Sequence, residues 1–178
     1  MNERLDDIIN HRKKKLENLV AAGLEPYPST SERTHSNQQV LEQFDALQGQ
    51  YVTLVGRVRS MRGMGKLLFL HIDDGSGKGD FEGRIQVLLK SDDIGDERFA
   101  FFVDNFDLGD FVQASGILFI TKTGEKTLQA KDYKMLAKSL RPLPSEHYGL
   151  EDTEIKLRKR YLDILMDSET KELFVKKA

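Results

Sequence analysis

The sequence predicts a mainly β fold with flanking helices. Its centre is a five-stranded Greek-key barrel, and helices lie N-terminal to that barrel. Three observations carry this prediction. Three short strands separated by glycine turns run from Tyr51 to Leu89. A helix with acidic residues in its first turns follows at Ser91–Phe106, and a two-stranded hairpin comes last. Within the strands apolar and polar residues alternate, as expected where one face of a strand is buried.

Two helices are predicted before the barrel. Residues 2–22 carry apolar residues at helical spacing, and a glycine and two prolines just beyond them end the helix. The run HRKKK at 11–15 lies inside this helix, and we interpret it as a solvated face in preference to an RNA-backbone contact. A second helix is predicted over 37–47, where Ser36 and Gln39 can form a capping box.

Alternation divides the first three strands into two faces. The apolar face, which we expect in the core, consists of Val52, Leu54, Val58, Leu68, Leu70, Ile72, Ile85, Val87 and Leu89. The opposite face carries Arg57, Arg59, Phe69, His71, Arg84 and Gln86. A core face would not need that mixture, whereas guanidinium, aromatic and amide groups together suit phosphates, stacked bases and base edges. We therefore expect this face to hold single-stranded nucleic acid.

The last two strands are DFVQASGILFIT and KTLQAKDYKML, joined by a turn at Lys122–Glu125. The order of three strands, a helix and a hairpin matches the OB-fold, a five-stranded Greek-key barrel. OB-folds bind oligonucleotides on the face of their second and third strands and in the neighbouring loops. The polar outward residues lie on that face.

Charge is distributed unevenly, although the net charge is only -2. Between Asp92 and Asp110 there are seven acidic residues and one basic residue. No acidic residue interrupts a group of four basic ones earlier in the chain, namely Arg57, Arg59, Arg62 and Lys66. These four either solubilise the barrel or contact phosphates, and we favour phosphates because all four lie along one edge.

Other candidate residues also have a purely structural alternative. Phe69 is either an ordinary sheet aromatic or a base-stacking platform, and its outward register favours the platform. Gln86 is either a solvent-facing strand residue or an amide that reads a base edge. On spacing alone Glu125 is a turn residue, and His71 is left undecided.

Composition excludes several classes of protein. Cysteine is absent and the four histidines lie far apart, so no disulfide and no metal site are expected. The N-terminus lacks the apolar run of a signal peptide and no window approaches the ~20 apolar residues of a membrane span, so we expect a cytoplasmic protein. Neither glycine–lysine stretch has the P-loop spacing and no catalytic set can be assembled, so we expect no catalytic residue and no cofactor on this chain.

Beyond residue 140 the character of the chain changes. A proline-punctuated connector leads to a strongly basic helix at 155–165, and Ser168 is a possible N-cap of a last helix. We expect three parts: a helical segment at 1–49, an OB-fold domain at 50–140, and a linker with the start of a further domain at 141–178.

Three stretches carry a resemblance to a known family. They are GRVRSMRGMGKLLFLHIDDGSGKGDFEGRIQVLL, TKTGE and LRPLPSEHYGLEDTEIKLRKRYLDIL. Over nearly its whole length the chain resembles the N-terminal part of bacterial-type lysyl-tRNA synthetases, which are class II enzymes. The related aspartyl and asparaginyl enzymes share the barrel but usually lack KTGE and RPLP, so the resemblance favours lysine.

The resemblance implies an anticodon-binding domain whose partner is the tRNA(Lys) anticodon stem-loop. It implies that Phe69 stacks on an anticodon uridine, that Gln86 reads a base edge, and that Glu125 reads another base. Arg62 matches a basic position near the anticodon, and Arg57 matches one that supports the loop backbone.

For the full enzyme, the resemblance implies a homodimer with a downstream domain that binds ATP, magnesium ions and lysine and transfers lysine to tRNA. The 178-residue stretch itself is expected to be inactive alone. Two alternatives from other classes stay open: an OB-fold that binds single strands without sequence preference, and a purely structural barrel.

Overall fold

Five strands form a closed barrel at the centre of the molecule. They are β1 (Tyr51–Met64), β2 (Leu67–Asp73), β3 (Arg84–Lys90), β4 (Phe111–Ile120) and β5 (Lys126–Ala137). The computed structural model describes residues 5–77, 82–144 and 152–177, and orders the strands around the barrel as β1-β2-β3-β5-β4. All neighbours pair antiparallel except β3 and β5, which are parallel. The predicted OB-fold is confirmed.

The barrel interior is formed by the apolar face that alternation assigned. All nine predicted core residues of β1, β2 and β3 have at most 4% of their surface exposed. Burying side chains of this kind stabilises the fold by about 1.5–3 kcal/mol each. Phe102 and Phe106 extend the same core, because their rings stack with centroids 4.0 Å apart and both make T-shaped contacts with the Tyr133 ring.

The connection between β3 and β4 is helical, as predicted, but it is broken. It consists of α4 (Ser91–Ile94) and α5 (Asp96–Asn105). Gly95 separates them with φ of 90°, a left-handed conformation that glycine adopts without steric cost. The single helix expected over Ser91–Phe106 is therefore two helices.

From residue 5 onward, three helices lie before the barrel: α1 (Leu5–Ala21), α2 (Asn37–Glu42) and α3 (Phe44–Leu47). The capping box is confirmed, since the Ser36 hydroxyl accepts from the Gln39 amide and the Gln39 side chain accepts from the Ser36 amide. The helix expected over 37–47 is interrupted at Gln43, whose φ of -103° and ψ of 20° depart from helical values. Residues 2–4 of the first predicted helix lie outside the described ranges.

The basic run of α1 is divided between solvent and barrel. Arg12 is buried and donates to the Ser139 and Arg141 carbonyls at 3.0 and 3.3 Å, and Lys15 pairs with Asp107 at 2.7 Å. The prediction of a solvated face is wrong for these two, because helical spacing brings them to the side of α1 that faces the barrel. It is correct for His11, Lys13 and Lys14, which are exposed.

The described residues after the barrel contain three helices: α6 (Thr153–Arg158), α7 (Arg160–Met166) and α8 (Ser168–Lys177). The N-cap predicted at Ser168 is wrong, since the Asp167 carboxylate accepts from the Glu169 and Thr170 amides instead. On α8, the Lys171 ammonium donates to the Gly75 and Gly77 carbonyls at 2.8 and 2.7 Å, which ties this helix to the β2–β3 loop. Residues 145–151 of the predicted connector lie outside the described ranges.

Within residues 5–77, 82–144 and 152–177, no helix is long and apolar enough to cross a membrane. The same part of the chain contains no group of three or more histidine, aspartate or glutamate residues placed to hold a metal ion.

Candidate nucleic-acid interface

Three rows of paired residues cross the outer face of β1, β2 and β3. Counted from the β1–β2 turn, they are Arg62–Phe69–Leu88, Ser60–His71–Gln86 and Arg57–Asp73–Arg84. Phe69 and Gln86 lie in adjacent rows on adjacent strands, a diagonal separation of about 7–8 Å between Cα atoms. This register keeps Phe69 close to Gln86 but places Arg57 and Arg84 at the far end of the face.

A short chain of polar contacts connects this face to the β4–β5 turn. The Ser60 hydroxyl lies 2.9 Å from His71 Nδ1, and His71 Nε2 lies 3.9 Å from a carboxylate oxygen of Glu125. The side chain of Glu125 is 53% exposed and that of His71 is 37% exposed. Glu125 therefore stands beside the row that holds Gln86, although nearly forty residues separate them in sequence.

The turn that carries Glu125 is closed by hydrogen bonds. The Thr121 amide donates to the Glu125 carbonyl at 3.0 Å, and the Glu125 amide donates to the Thr121 hydroxyl at 2.9 Å. Gly124 supplies the left-handed residue of the turn with φ of 86°. These contacts fix where the Glu125 backbone lies, while its carboxylate stays accessible.

Thr127 is a buried residue of this site that sequence reasoning missed. Its hydroxyl donates to Gln86 Oε1 at 2.8 Å, and it lies 3.1 Å from the Glu125 carbonyl. Thr127 pairs with Gln86 in the parallel β3–β5 ladder. No local signal could have indicated it, because that pairing exists only once the barrel closes.

Arg62 is exposed and pairs in register with Phe69, so the two residues are neighbours on this face. Lys66 is also exposed but has acidic partners, with its ammonium 3.3 Å from Asp96 and 4.0 Å from Asp92. Hydrogen bonds from Ser91 and then from Lys66 lower the pKa of the Asp96 carboxyl. The start of the acidic helical connection thus offsets part of the positive charge predicted for this edge.

Arg57 and Arg84 are covered by the C-terminal helices. Arg57 donates to the Gly109 carbonyl at 3.2 Å and lies over the Phe111 ring at 4.2 Å, and Arg84 pairs with Asp73 at 3.7 Å. Burial and the neighbouring charge of Arg59 lower the pKa of Arg57, which Asp73 partly restores. Both arginines line a cavity of about 290 Å³ that also contains residues of α7 and α8. The expectation that they share an open face with Phe69 is wrong.

The prediction of an exposed Arg59 is also wrong, since this residue is only 7% exposed. A β-bulge between Val58 and Ser60 adds one residue to β1 and leaves Arg59 out of the pairing with β2. Beyond the bulge the alternation shifts by one position, so Met61 packs against the core and Ser60 faces outward. Arg59 instead lines a second cavity together with residues of the segment after β5.

The structure thus brings together Phe69, Gln86, Glu125 and Arg62 and separates Arg57, Arg59 and Arg84 from them. The grouped residues offer an aromatic face, an amide, a carboxylate and a guanidinium group. An aromatic face stacks with any base, while the amide and the carboxylate can hydrogen-bond to base edges. This arrangement suits unpaired bases better than a duplex.

Comparison with known proteins agrees with the OB-fold. The model of the tRNA anti-codon family, an OB-fold nucleic acid binding domain, matches residues 52–136. The chain is 40% identical over 172 residues to the lysine--tRNA ligase of Pelotomaculum thermopropionicum, 42% over 171 residues to that of Clostridium novyi and 43% over 173 residues to that of Chloroflexus aurantiacus. These alignments cover 96–97% of the chain, which spans about a third of the length of the curated relatives it matches.

Proposed function

We propose that the chain is an anticodon-binding domain of the OB-fold family whose model matches residues 52–136, and that its Phe69 face binds the anticodon loop of tRNA(Lys). The observation that carries the proposal is the cluster of Phe69, Gln86 and Glu125, which β2, β3 and the β4–β5 turn bring to one accessible surface. Sequence-specific recognition of RNA usually targets unpaired bases that can be splayed out and stacked.

Each group of the cluster has a role in this proposal. The Phe69 ring stacks on one base, a contact worth about 1–3 kcal/mol. Gln86 and Glu125 hydrogen-bond to base edges, where an amide supplies a donor and an acceptor and a carboxylate only accepts. Arg62 contacts the phosphates on either side of the stacked base, which positions the loop without reading sequence.

We further propose that the domain acts within a lysine--tRNA ligase, because the relatives to which the chain is 40–43% identical are lysine--tRNA ligases. In such an enzyme the barrel holds the anticodon while another domain binds ATP and Mg²⁺ and attaches lysine to the tRNA. A homodimeric assembly and a cytoplasmic location are parts of the same proposal.

The test is a fluorescence titration of the chain with two labelled RNA hairpins. One presents the lysine anticodon UUU in its loop, and the other has the same stem with a scrambled loop. We expect tighter binding to the UUU hairpin, and we expect Phe69→Ala to weaken it by about 1–3 kcal/mol. Phe174→Ala on α8, an aromatic residue that is 41% exposed, is the matched control and should leave the affinity unchanged.

Two outcomes would contradict the proposal. Equal affinity for both hairpins would favour an OB-fold that binds single strands without sequence preference. Failure of both hairpins to bind at low salt would favour a structural barrel, since phosphate contacts are strongest there.

A further inference from the structure

Thr127 lies directly beside Gln86 at the point where β3 and β5 close the barrel. The two residues are register partners in the parallel ladder, and Thr127 has 0% of its surface exposed. Its side chain must point to the outer face with that of Gln86, since their polar atoms lie 2.8 Å apart. The hydroxyl is thus beneath the proposed reading surface and out of reach of any RNA.

The hydrogen bonds around this hydroxyl decide how the Gln86 amide is oriented. A threonine hydroxyl has one hydrogen to donate, and two carbonyl oxygens lie within reach: Gln86 Oε1 at 2.8 Å and the Glu125 carbonyl at 3.1 Å. The Glu125 carbonyl already accepts from the Thr121 amide at 3.0 Å. We assign the hydrogen to Gln86 Oε1 because that contact is the shorter of the two and no other described residue donates to this oxygen, whereas the Glu125 carbonyl already has a donor.

We propose that Thr127 is a positioning residue that holds Gln86 with Oε1 toward the barrel and the NH₂ group toward the RNA, and so makes the site select uridine over cytidine. This inference rests on the proposed anticodon-binding function. No described residue accepts a hydrogen bond from Gln86 Nε2, so the outward NH₂ group is available as a donor to the bound base.

The selectivity follows from the groups on the two pyrimidines. Uracil presents the O4 acceptor where cytosine presents the N4 amino donor. An outward NH₂ group pairs with O4 but meets the cytosine amino group donor to donor. A glutamine amide without an anchor can rotate by 180° and offer its oxygen instead, because the two ends of the amide have nearly the same shape. Holding Oε1 inward removes that second option.

The experiment compares Thr127→Val with Thr127→Ser in the full chain. Valine keeps the shape of threonine but lacks the hydroxyl, whereas serine keeps the hydroxyl and lacks the methyl group. Binding is measured to the UUU hairpin and to three hairpins that each carry one cytidine in the anticodon. The readout is the affinity for the UUU hairpin divided by the affinity for a cytidine hairpin. It is taken at the anticodon position where the wild-type chain shows the largest ratio.

We expect the wild-type chain and Thr127→Ser to discriminate by about tenfold and Thr127→Val to fall to about twofold or less, the effect of losing one hydrogen bond. Binding of the UUU hairpin by Thr127→Val should still depend on Phe69, which separates a lost orientation from a lost site. Full discrimination by Thr127→Val would overturn the inference. If the wild-type chain binds neither the UUU nor the cytidine hairpins, the proposed function itself has failed.

Gln86→Glu supplies a second test that does not alter the buried residue. One carboxylate oxygen accepts from Thr127 and the other faces the RNA as an acceptor, so the preference should shift toward cytidine, whose amino group donates. The ratio of the two affinities removes the general loss caused by an added negative charge. An unchanged preference for uridine would contradict the orientation assigned to the amide.

Discussion

Lys138 is the centre of a buried charge network, and its replacement by methionine tests how the N-terminal helix is held on the barrel. The Lys138 ammonium is 0% exposed and donates to the Asn105 carbonyl at 2.8 Å, to Asp107 at 2.6 Å and to Asp110 at 2.8 Å. Lys15 of α1 reaches the other oxygen of Asp107. The network thus joins α1, the residue that directly follows β5 and the loop before β4.

Lys138→Met removes the positive charge but fills most of the same space. It leaves Asp110, whose side chain is also 0% exposed, without its only cationic neighbour among the described residues. Removing one partner of a buried ion pair costs about 3–5 kcal/mol. The lower end applies here, because Asp110 keeps the Ser139 and Asp107 amides as donors and Asp107 keeps Lys15. We therefore expect the free energy of unfolding to fall by about 3 kcal/mol at pH 7.

The cost should become smaller as the pH falls. Burial raises the pKa of Asp110 against the opposing effect of Lys138, and loss of the lysine raises it further. A carboxyl with a folded pKa above its unfolded value, about 3.9, takes up its proton first in the native state. As the pH falls from 7 toward the unfolded pKa of about 3.9, the free energy of unfolding of the variant therefore rises relative to that of the wild type.

The Asp107 carboxyl also makes the stability difference between wild type and variant smaller at low pH. Burial raises the pKa of Asp107, but hydrogen bonds and charges from Lys138 and Lys15 outweigh that effect and lower it. The stability it contributes is present above about pH 4 and is lost as the pH falls through its folded pKa. Asp107 contributes less stability in the variant, which lacks Lys138, so the variant loses less of it as the pH falls. The difference in the free energy of unfolding between wild type and variant therefore becomes smaller still at low pH.

Urea denaturation followed by far-UV circular dichroism measures both effects. A loss of about 3 kcal/mol lowers the midpoint by about 1.5 M if the m-value is about 2 kcal/mol/M. Lys134→Met is the matched control, because Lys134 is an exposed lysine on β5, four residues before Lys138, and its replacement should lower the free energy of unfolding by less than about 0.5 kcal/mol. A cost below about 1 kcal/mol for Lys138→Met, or one that grows on acidification, would refute the reasoning.

Three other substitutions test the geometry of the barrel and of the site. Gly116→Ala should lower the free energy of unfolding measured in urea by about 2–3 kcal/mol, because a Cβ there would lie 2.0 Å from the Gln129 carbonyl oxygen. Gly63→Ala is the control and should change that free energy little, since its Cβ would meet nothing nearer than 4.0 Å. Equal losses in the two variants would contradict the close packing at Gly116. Gly124→Ala should lower the free energy of unfolding by about 1 kcal/mol in the same assay, because a Cβ there meets no other atom and only the left-handed backbone is strained. Gly124→Asn should lower it less, since asparagine adopts this conformation more readily than alanine. The reverse order would argue against the left-handed conformation at this position. Arg62→Ala should reduce the slope of log affinity against log salt for the UUU hairpin by about 0.7, and an unchanged slope would remove Arg62 from the phosphate contacts.

Local pattern was enough to predict the strands, the core face and the position of Phe69. Strand side chains alternate strictly, so one apolar residue fixes the face of its neighbours as long as pairing is regular. The prediction failed at Arg59 because the bulge after Val58 changes the phase of β1, and the sequence there has no glycine to indicate it. A single inserted position was sufficient to turn a predicted phosphate contact into a buried side chain.

The remaining errors arose from contacts between distant segments. Arg57 and Arg84 face outward on their strands, as alternation indicates, but the C-terminal helices then cover them. Lys66 is exposed as expected, yet the acidic residues that follow β3 fold back beside it. Alternation predicts which face of a sheet a side chain occupies, but not whether another element packs on that face.

Closure of the barrel and assembly of the proposed reading site depend on the same contact. The parallel pairing of β3 with β5 begins at Gln86 and Thr127 and joins the two strands that complete the barrel. That pairing also places the Thr127 hydroxyl against the Gln86 amide and brings the turn of Glu125 beside His71. An open sheet with the same sequence would keep Phe69 on its surface and could still stack with bases. Only the closed barrel places the Thr127 hydroxyl against the Gln86 amide, so the base discrimination that we propose depends on closure of the barrel, whereas stacking on Phe69 does not.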